Sequence, residues 1–148
     1  MDQILDAPLS SEKKLHYAGF WIRVGAYLID GILLLILQVI LAYAFFGGYS
    51  FMVPNYPLTG ISTLIGILYF VVMESSAKQA TLGKQAVGIK VGDAVGDRIS
   101  FANALGRYFG KFLSAIILGI GFMMAGWDSK CQALHDKLAG TYVVYSQA

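Results

Sequence analysis

Five charged residues stand within or at the ends of apolar runs. Arg23 and Asp30 fall seven apart in WIRVGAYLIDGILLL, and Glu74 ends a second run. Arg107 and Lys111 lie four apart at the start of a third, ALGRYFGKFLSAIILGIGFMMAGW. An ionised carboxylate in hydrocarbon costs about 2.5–3.5 kcal/mol on insertion scales, so an acid at that depth is either paired or marks an ion or proton site. Seven residues turn a helix through about 700°, which puts Arg23 and Asp30 within about 20° of one face and about 10 Å apart along the axis. An arginine on a helix points back toward the amino end, away from Asp30. Arg107 and Lys111 share one helical face and are the expected partners of Asp30. Arg23 is expected at the interface, its head snorkelling to water, which for Arg107 and Lys111 is the alternative to pairing with Asp30. Asp30 has no such route, because its side chain is short.

Other chemistries fail on spacing. TLGKQ holds Gly83 and Lys84 but lacks the upstream glycine and the following Ser or Thr of a phosphate-binding loop. His16, His135 and the single cysteine, Cys131, give no metal-ligand spacing, so neither metal nor cofactor is expected. LHDK puts His135 beside Asp136, but adjacent residues on a helix diverge and no nucleophile accompanies them, so enzyme activity is not expected. A net charge of +2, with no basic run interleaved with aromatics, argues against nucleic acid. One cysteine forms no internal disulfide and reads as an idle thiol.

The elements that must position these charges follow from hydropathy. With 148 residues the chain has room for one domain, and 57% hydrophobic residues with a mean hydropathy of +0.63 exceed the roughly 45–50% apolar content of soluble domains. The expectation is a mainly α, integral membrane protein. Residues 1–18 read as a polar cytoplasmic tail, in which Ser10 or Ser11 with Glu12 suits a short helix start. The run 20–46 is longer than the roughly 20 residues a spanning helix needs and than the core of a signal peptide. FGGYSFMVPNYPLTG breaks it, and 58–74 gives a second, slightly short span. In segment 76–102, ATLGKQAVG reads as a short amphipathic piece. There GIKV and RISF flank the turn signal GDAVGD, predicting a small β-hairpin. Segment 104–127 is a third span or a re-entrant loop turning at LGIG. Residues 130–146 predict a helix at QALHDKLA and a strand at TYVVY, which could pair with the hairpin.

Orientation follows from the basic residues, which stay cytoplasmic in short loops. Loop 47–58 carries no charge, whereas Lys13 and Lys14 precede the first run and Lys78, Lys84, Lys90 and Arg98 follow the second. The amino terminus and the hairpin are therefore expected inside the cell membrane's cytoplasmic face. A re-entrant third segment keeps Lys130, His135 and Lys137 inside too and is the preferred topology. All five intramembrane charges then form one layer in the cytoplasmic third. Gly106, Gly110 and Ser114 repeat every four residues, the pattern that lets backbones pack closely in lipid, and Gly25 and Gly31 are candidates to face them. Trp21, Trp127 and the tyrosines suit an interfacial belt.

Together FWIRVGAYLIDGILL, TLGKQAVGIKVGD with GDRISF, the arginine of LGRYFGK, GIGFMMAGWD and LHDKLAGTYVV, in this order, resemble the RDD family of small bacterial membrane proteins. The resemblance spans residues 18 to about 145. It implies that Arg23 and Asp30 are the family's arginine and first aspartate, and that Asp136 is the second. Members have no assigned molecular function; transport of unidentified ligands is suggested, with ion/proton exchange proposed for some. DSKCQALHDK departs from members that carry more basic residues there, which weakens a headgroup-binding reading of that segment. Two functions follow as expectations. One is a transport component with Asp30 as a cation or proton site, needing a homo-oligomer or a partner membrane protein to enclose a path. The other is a structural or assembly module in which the charges pin the helices to a cytoplasmic lobe, with Asp136 capping or bridging that lobe to Arg23.

Overall fold

A computed structural model describes residues 15–47, 56–117 and 119–146. The suggested helix start at Ser10 to Glu12 and residues 48–55 of the uncharged loop lie outside them. Two long helices, α1 (Phe20–Phe46) and α2 (Tyr56–Ser75), are apolar and long enough to cross a membrane. A short helix α3 (Leu82–Ala86), a strand β1 (Ile89–Gly92) and helix α4 (Phe101–Ile116) follow. The chain continues through α5 (Ile120–Met123), a 3₁₀ turn (Met124–Gly126), α6 (Leu134–Ala139) and β2 (Tyr142–Tyr145).

Burial is concentrated at one end of the long helices. On α1 the buried residues are Arg23, Ala26 and Asp30, a stripe at helical spacing, with Ala42 far beyond. Leu28, Ile32, Leu35, Ile36 and Ile40 are all more than half exposed, an apolar surface that suits lipid rather than water. On α2 the buried positions are Val71, Glu74 and Ser75 at its end, with Leu58 at its start. The core that gathers them contains Ala18, Ala26, Val71, Ile89, Val91, Ile99, Ala104 and Val143.

The predicted hairpin is corrected. β1 pairs antiparallel with β2, Val91 opposite Val143 and Ile89 opposite Tyr145, and RISF forms no strand. GDAVGD does turn, because the Asp93 carboxylate accepts from the Val95 and Asp97 amides, both at 2.9 Å, and Gly96 takes φ +85°. The turn then delivers Ser100 as the N-cap of α4, its hydroxyl accepting from the Asn103 amide at 3.1 Å. Both outer edges of the pair are covered. The Val91 amide donates to the Gln79 carbonyl at 2.7 Å, and on the β2 side the Tyr145 amide donates to the His16 carbonyl at 2.9 Å. Residues 16–18 are thus part of the sheet's edge rather than tail, with Tyr17 bridged to Val144.

The glycine expectation is corrected as well. Gly25, Gly31 and Gly106 would each carry a Cβ into open space, so α1 and α4 do not meet through them. Gly110 instead seats α6: a Cβ there would lie 2.9 Å from His135 Cβ. Across the bend, a Cβ on Gly121 would stand 2.8 Å from Ser114, which folds α5 back onto α4. The axes of Phe101–Ile116 and Ile120–Gly126 differ by 116°.

Candidate functional site

The buried ends of α1, α2 and α4 converge with α3 and α6 on one ionic layer. Arg23 comes from the second turn of α1, and it is 5% exposed rather than snorkelling. Its Nε donates to the Ala18 carbonyl at 3.0 Å, and its guanidinium nitrogens donate to the Asp136 carboxylate and the Cys131 carbonyl. It is held inward because the chain doubles back over it, residues 16–18 on one side and 131–136 on the other.

Asp136 sits in the first turn of α6 and is fully buried. One oxygen accepts from Arg23 and from the Ala133 amide at 3.1 Å, capping α6; the other accepts from Arg107. Burial alone would raise its pKa. The two guanidiniums outweigh that and hold the carboxyl well below the ordinary carboxylate range. Arg107 is the hub. Its Nε donates to Glu74 Oε2 at 3.0 Å, and Nη1 donates to Asp136 and to the Thr141 hydroxyl at 2.7 Å. Glu74, at the end of α2, also binds Lys84 and faces Lys111 Nζ at 3.6 Å. Lys111 lies among aromatic faces, 4.5 Å over Phe70, 5.2 Å over Tyr27 and 5.8 Å over Tyr108.

Asp30 does not meet Arg107 or Lys111, contrary to expectation. Its donors are neutral: Tyr69 Oη at 2.7 Å, Thr81 Oγ1 at 2.6 Å and the Gly83 amide at 2.7 Å. The reason is geometric. The cationic face of α4 packs against α2 and α6, where Glu74 and Asp136 take both of its charges, while α3 occupies the face of α1 that carries Asp30. Gly83 makes that approach possible, since a Cβ there would be 2.2 Å from the Ala26 carbonyl oxygen.

Lys84, Thr81, Tyr69, Thr141 and His135 are site residues that the apolar-run argument missed. Lys84 is 1% exposed. Burial lowers its pKa, and Glu74 opposes that. Its presence within TLGKQAVGIK was the available signal. His135 also departs from expectation: despite being adjacent on α6, its Nε2 lies 3.4 Å from Asp136 Oδ1, while Nδ1 is 3.4 Å from Ser114 Oγ. Burial pushes its pKa down to about 3, with Asp136 opposing, so the ring is neutral near pH 7. Ser114 Oγ donates to the Gly110 carbonyl at 3.0 Å, which occupies its proton. Among the described residues no cluster of His, Cys, Asp and Glu has metal-binding geometry.

The RDD family model matches residues 17–140. "Uncharacterized protein YxaI" of Bacillus subtilis (strain 168) is 36% identical over 147 residues, covering 86% of this chain and 97% of that protein. "Uncharacterized membrane protein YteJ" from the same organism is 28% identical, covering 97% and 90% respectively. No solved structure matches significantly. The matched range runs from before Arg23 to beyond Asp136, enclosing every residue of the ionic layer, and the chain belongs to the RDD family.

Proposed function

We propose that this chain is an integral, multi-pass membrane module whose charge layer clamps a small cytoplasmic lobe, α3, β1–β2 and α6, to the inner ends of its long helices. In this reading it acts through a partner membrane protein or further copies of itself, and neither as an enzyme nor as a self-contained carrier. The observation that carries the proposal is the coordination of Asp30. Both its oxygens are taken by donors from α2 and α3, so it is a docking point for α3, and a passing cation would have to displace those donors. Every other anion of the layer ties elements together in the same way. Glu74 links α2 to α3 and α4, and Asp136 links α6 to α1 and α4.

Membrane placement is supported by the length and exposed apolar surface of α1 and α2, and by Trp21 and Trp127, both more than 70% exposed as interfacial anchors are. The distribution of basic residues supports an amino terminus and lobe on the cytoplasmic side of the cell membrane. Arg107 before the 116° bend bonds Asp136 after it, which supports a re-entrant path for 101–126 over a third crossing.

The test is Asp30→Asn. An asparagine turns one acceptor oxygen into a donor facing donors, and a hydrogen bond to a charged group contributes about 1.5–3 kcal/mol. The variant should insert but lose abundance and thermal stability in detergent, while wild-type proteoliposomes show no cation flux driven by a pH gradient. A variant as stable as wild type that abolishes a measured flux would reverse the conclusion. One observation favours that transport reading: a cleft of about 280 Å³ between α1 and α2, lined by Gln38, Ser62, Thr63 and Tyr108 among apolar residues. Its α1 wall, Leu34 and Gln38, continues the face of Asp30 at four-residue spacing.

A further inference from the structure

The layer does not balance. Arg23, Lys84, Arg107 and Lys111 are four cations against three carboxylates, and the four share Glu74 and Asp136, while Asp30 is bonded by neutral groups. His135, buried and uncharged, adds nothing to either side. Uncompensated charge is costly to keep away from water. A second observation points the same way: among the described residues, Arg107 Nη2 is a fully buried nitrogen with no hydrogen-bond partner, and buried guanidinium nitrogens are ordinarily satisfied.

A cavity of about 170 Å³ lies beside Arg23, walled also by Phe20, Val24, Tyr27, Phe122 and His135 among its lining residues. Its Tyr27 is the same ring that Lys111 Nζ approaches at 5.2 Å and Lys84 Nζ at 5.7 Å. A cavity of about 150 Å³ admits a benzene-sized group. We infer that this cavity and the surplus cations beside it form a binding site for a phosphate-type oxyanion, which supplies the missing negative charge. Guanidinium and ammonium donors suit an acceptor with several oxygens. The mostly apolar wall suits one carried on a hydrocarbon chain, as the phosphodiester of an anionic lipid is. The inference is independent of the clamp reading, since the charge sum holds whether or not anything is transported.

The experiment follows the Tm of the purified full chain in neutral detergent and chloride buffer. Phosphatidylglycerol, phosphatidylcholine and inorganic phosphate are titrated separately. Phosphatidylglycerol should raise Tm saturably by several degrees, and phosphatidylcholine should not. A matching rise with inorganic phosphate identifies a free oxyanion as sufficient; a rise with phosphatidylglycerol alone identifies the lipid as the source. Lys111→Met should lose the response, whereas Lys111→Arg and the exposed-site control Lys78→Gln should keep it. Equal shifts with the two lipids and none with phosphate would overturn the inference, as would a Lys111→Met response equal to wild type or its loss in Lys78→Gln. If Lys111→Met gives no cooperative transition, the lipid comparison on wild type and the Lys111→Arg response decide.

Discussion

Asp136 and His135 occupy adjacent positions and behave oppositely, because the cations that stabilise a carboxylate disfavour an imidazolium, which burial already penalises more than Asp136 offsets. Arg107 and Arg23 hold the Asp136 carboxyl ionised, so its contribution to stability is complete above the unfolded carboxylate pKa. That contribution is lost only as pH falls toward a folded value below the ordinary range. His135 has a folded pKa of about 3 against an unfolded value near 6.5, so below pH 6.5 the unfolded state binds a proton that the folded state refuses. Stability should therefore fall on acidification from pH 6.5 to 5 by up to about 1.4 kcal/mol per unit from this group. Denaturation of wild type and His135→Gln in detergent at several pH values checks it. A flatter slope in the variant is expected, and parallel slopes would show that the ring protonates freely in the fold. The sequence made Asp30, Glu74, Arg107 and Lys111 visible as charges in apolar runs. It did not make their pairing visible, because pairing depends on which helix faces which. Arg23 looked interfacial since nothing local to α1 signals that residues 18 and 131–136 fold over it.

At the scale of elements, the long helices were legible to within two residues, since hydropathy over about 20 residues is a strong signal. The pairing of short strands was not. GIKV found its partner in TYVVY, more than 50 residues on, and RISF yielded to Ser100, whose side chain starts a helix instead of extending a strand. The small-residue pattern of α4 was real but pointed at the wrong neighbour. Its two useful positions hold α6 and α5, and Gly106 faces open space. The pair makes a sharp prediction. Gly110→Ala drives a methyl group into His135 and should cost about 1–3 kcal/mol by overpacking. Gly106→Ala, free of any neighbour, should gain about 0.4–1 kcal/mol by restricting the unfolded chain. Paired melting curves read both, and equal effects would mean that the α4–α6 contact is looser than described.

The whole molecule is two parts of unlike chemistry, apolar helices and a polar lobe, joined by a buried layer of charges. Within 18–145 the family resemblance made the order of the parts legible, but not the division of labour between Asp30, which docks α3 through neutral donors, and Glu74 with Asp136, which collect the cations. The claim that most needs testing is that Asp30 fastens the lobe. Hydrogen exchange of the purified chain in detergent, comparing wild type with Asp30→Asn, addresses it directly, because the Gly83 amide is bonded to that carboxylate at 2.7 Å. The account predicts faster exchange across residues 81–86 in the variant, while the β1–β2 amides, bonded within the lobe itself, keep their protection. Unchanged protection of residues 81–86 would contradict it and leave Asp30 available for an ion.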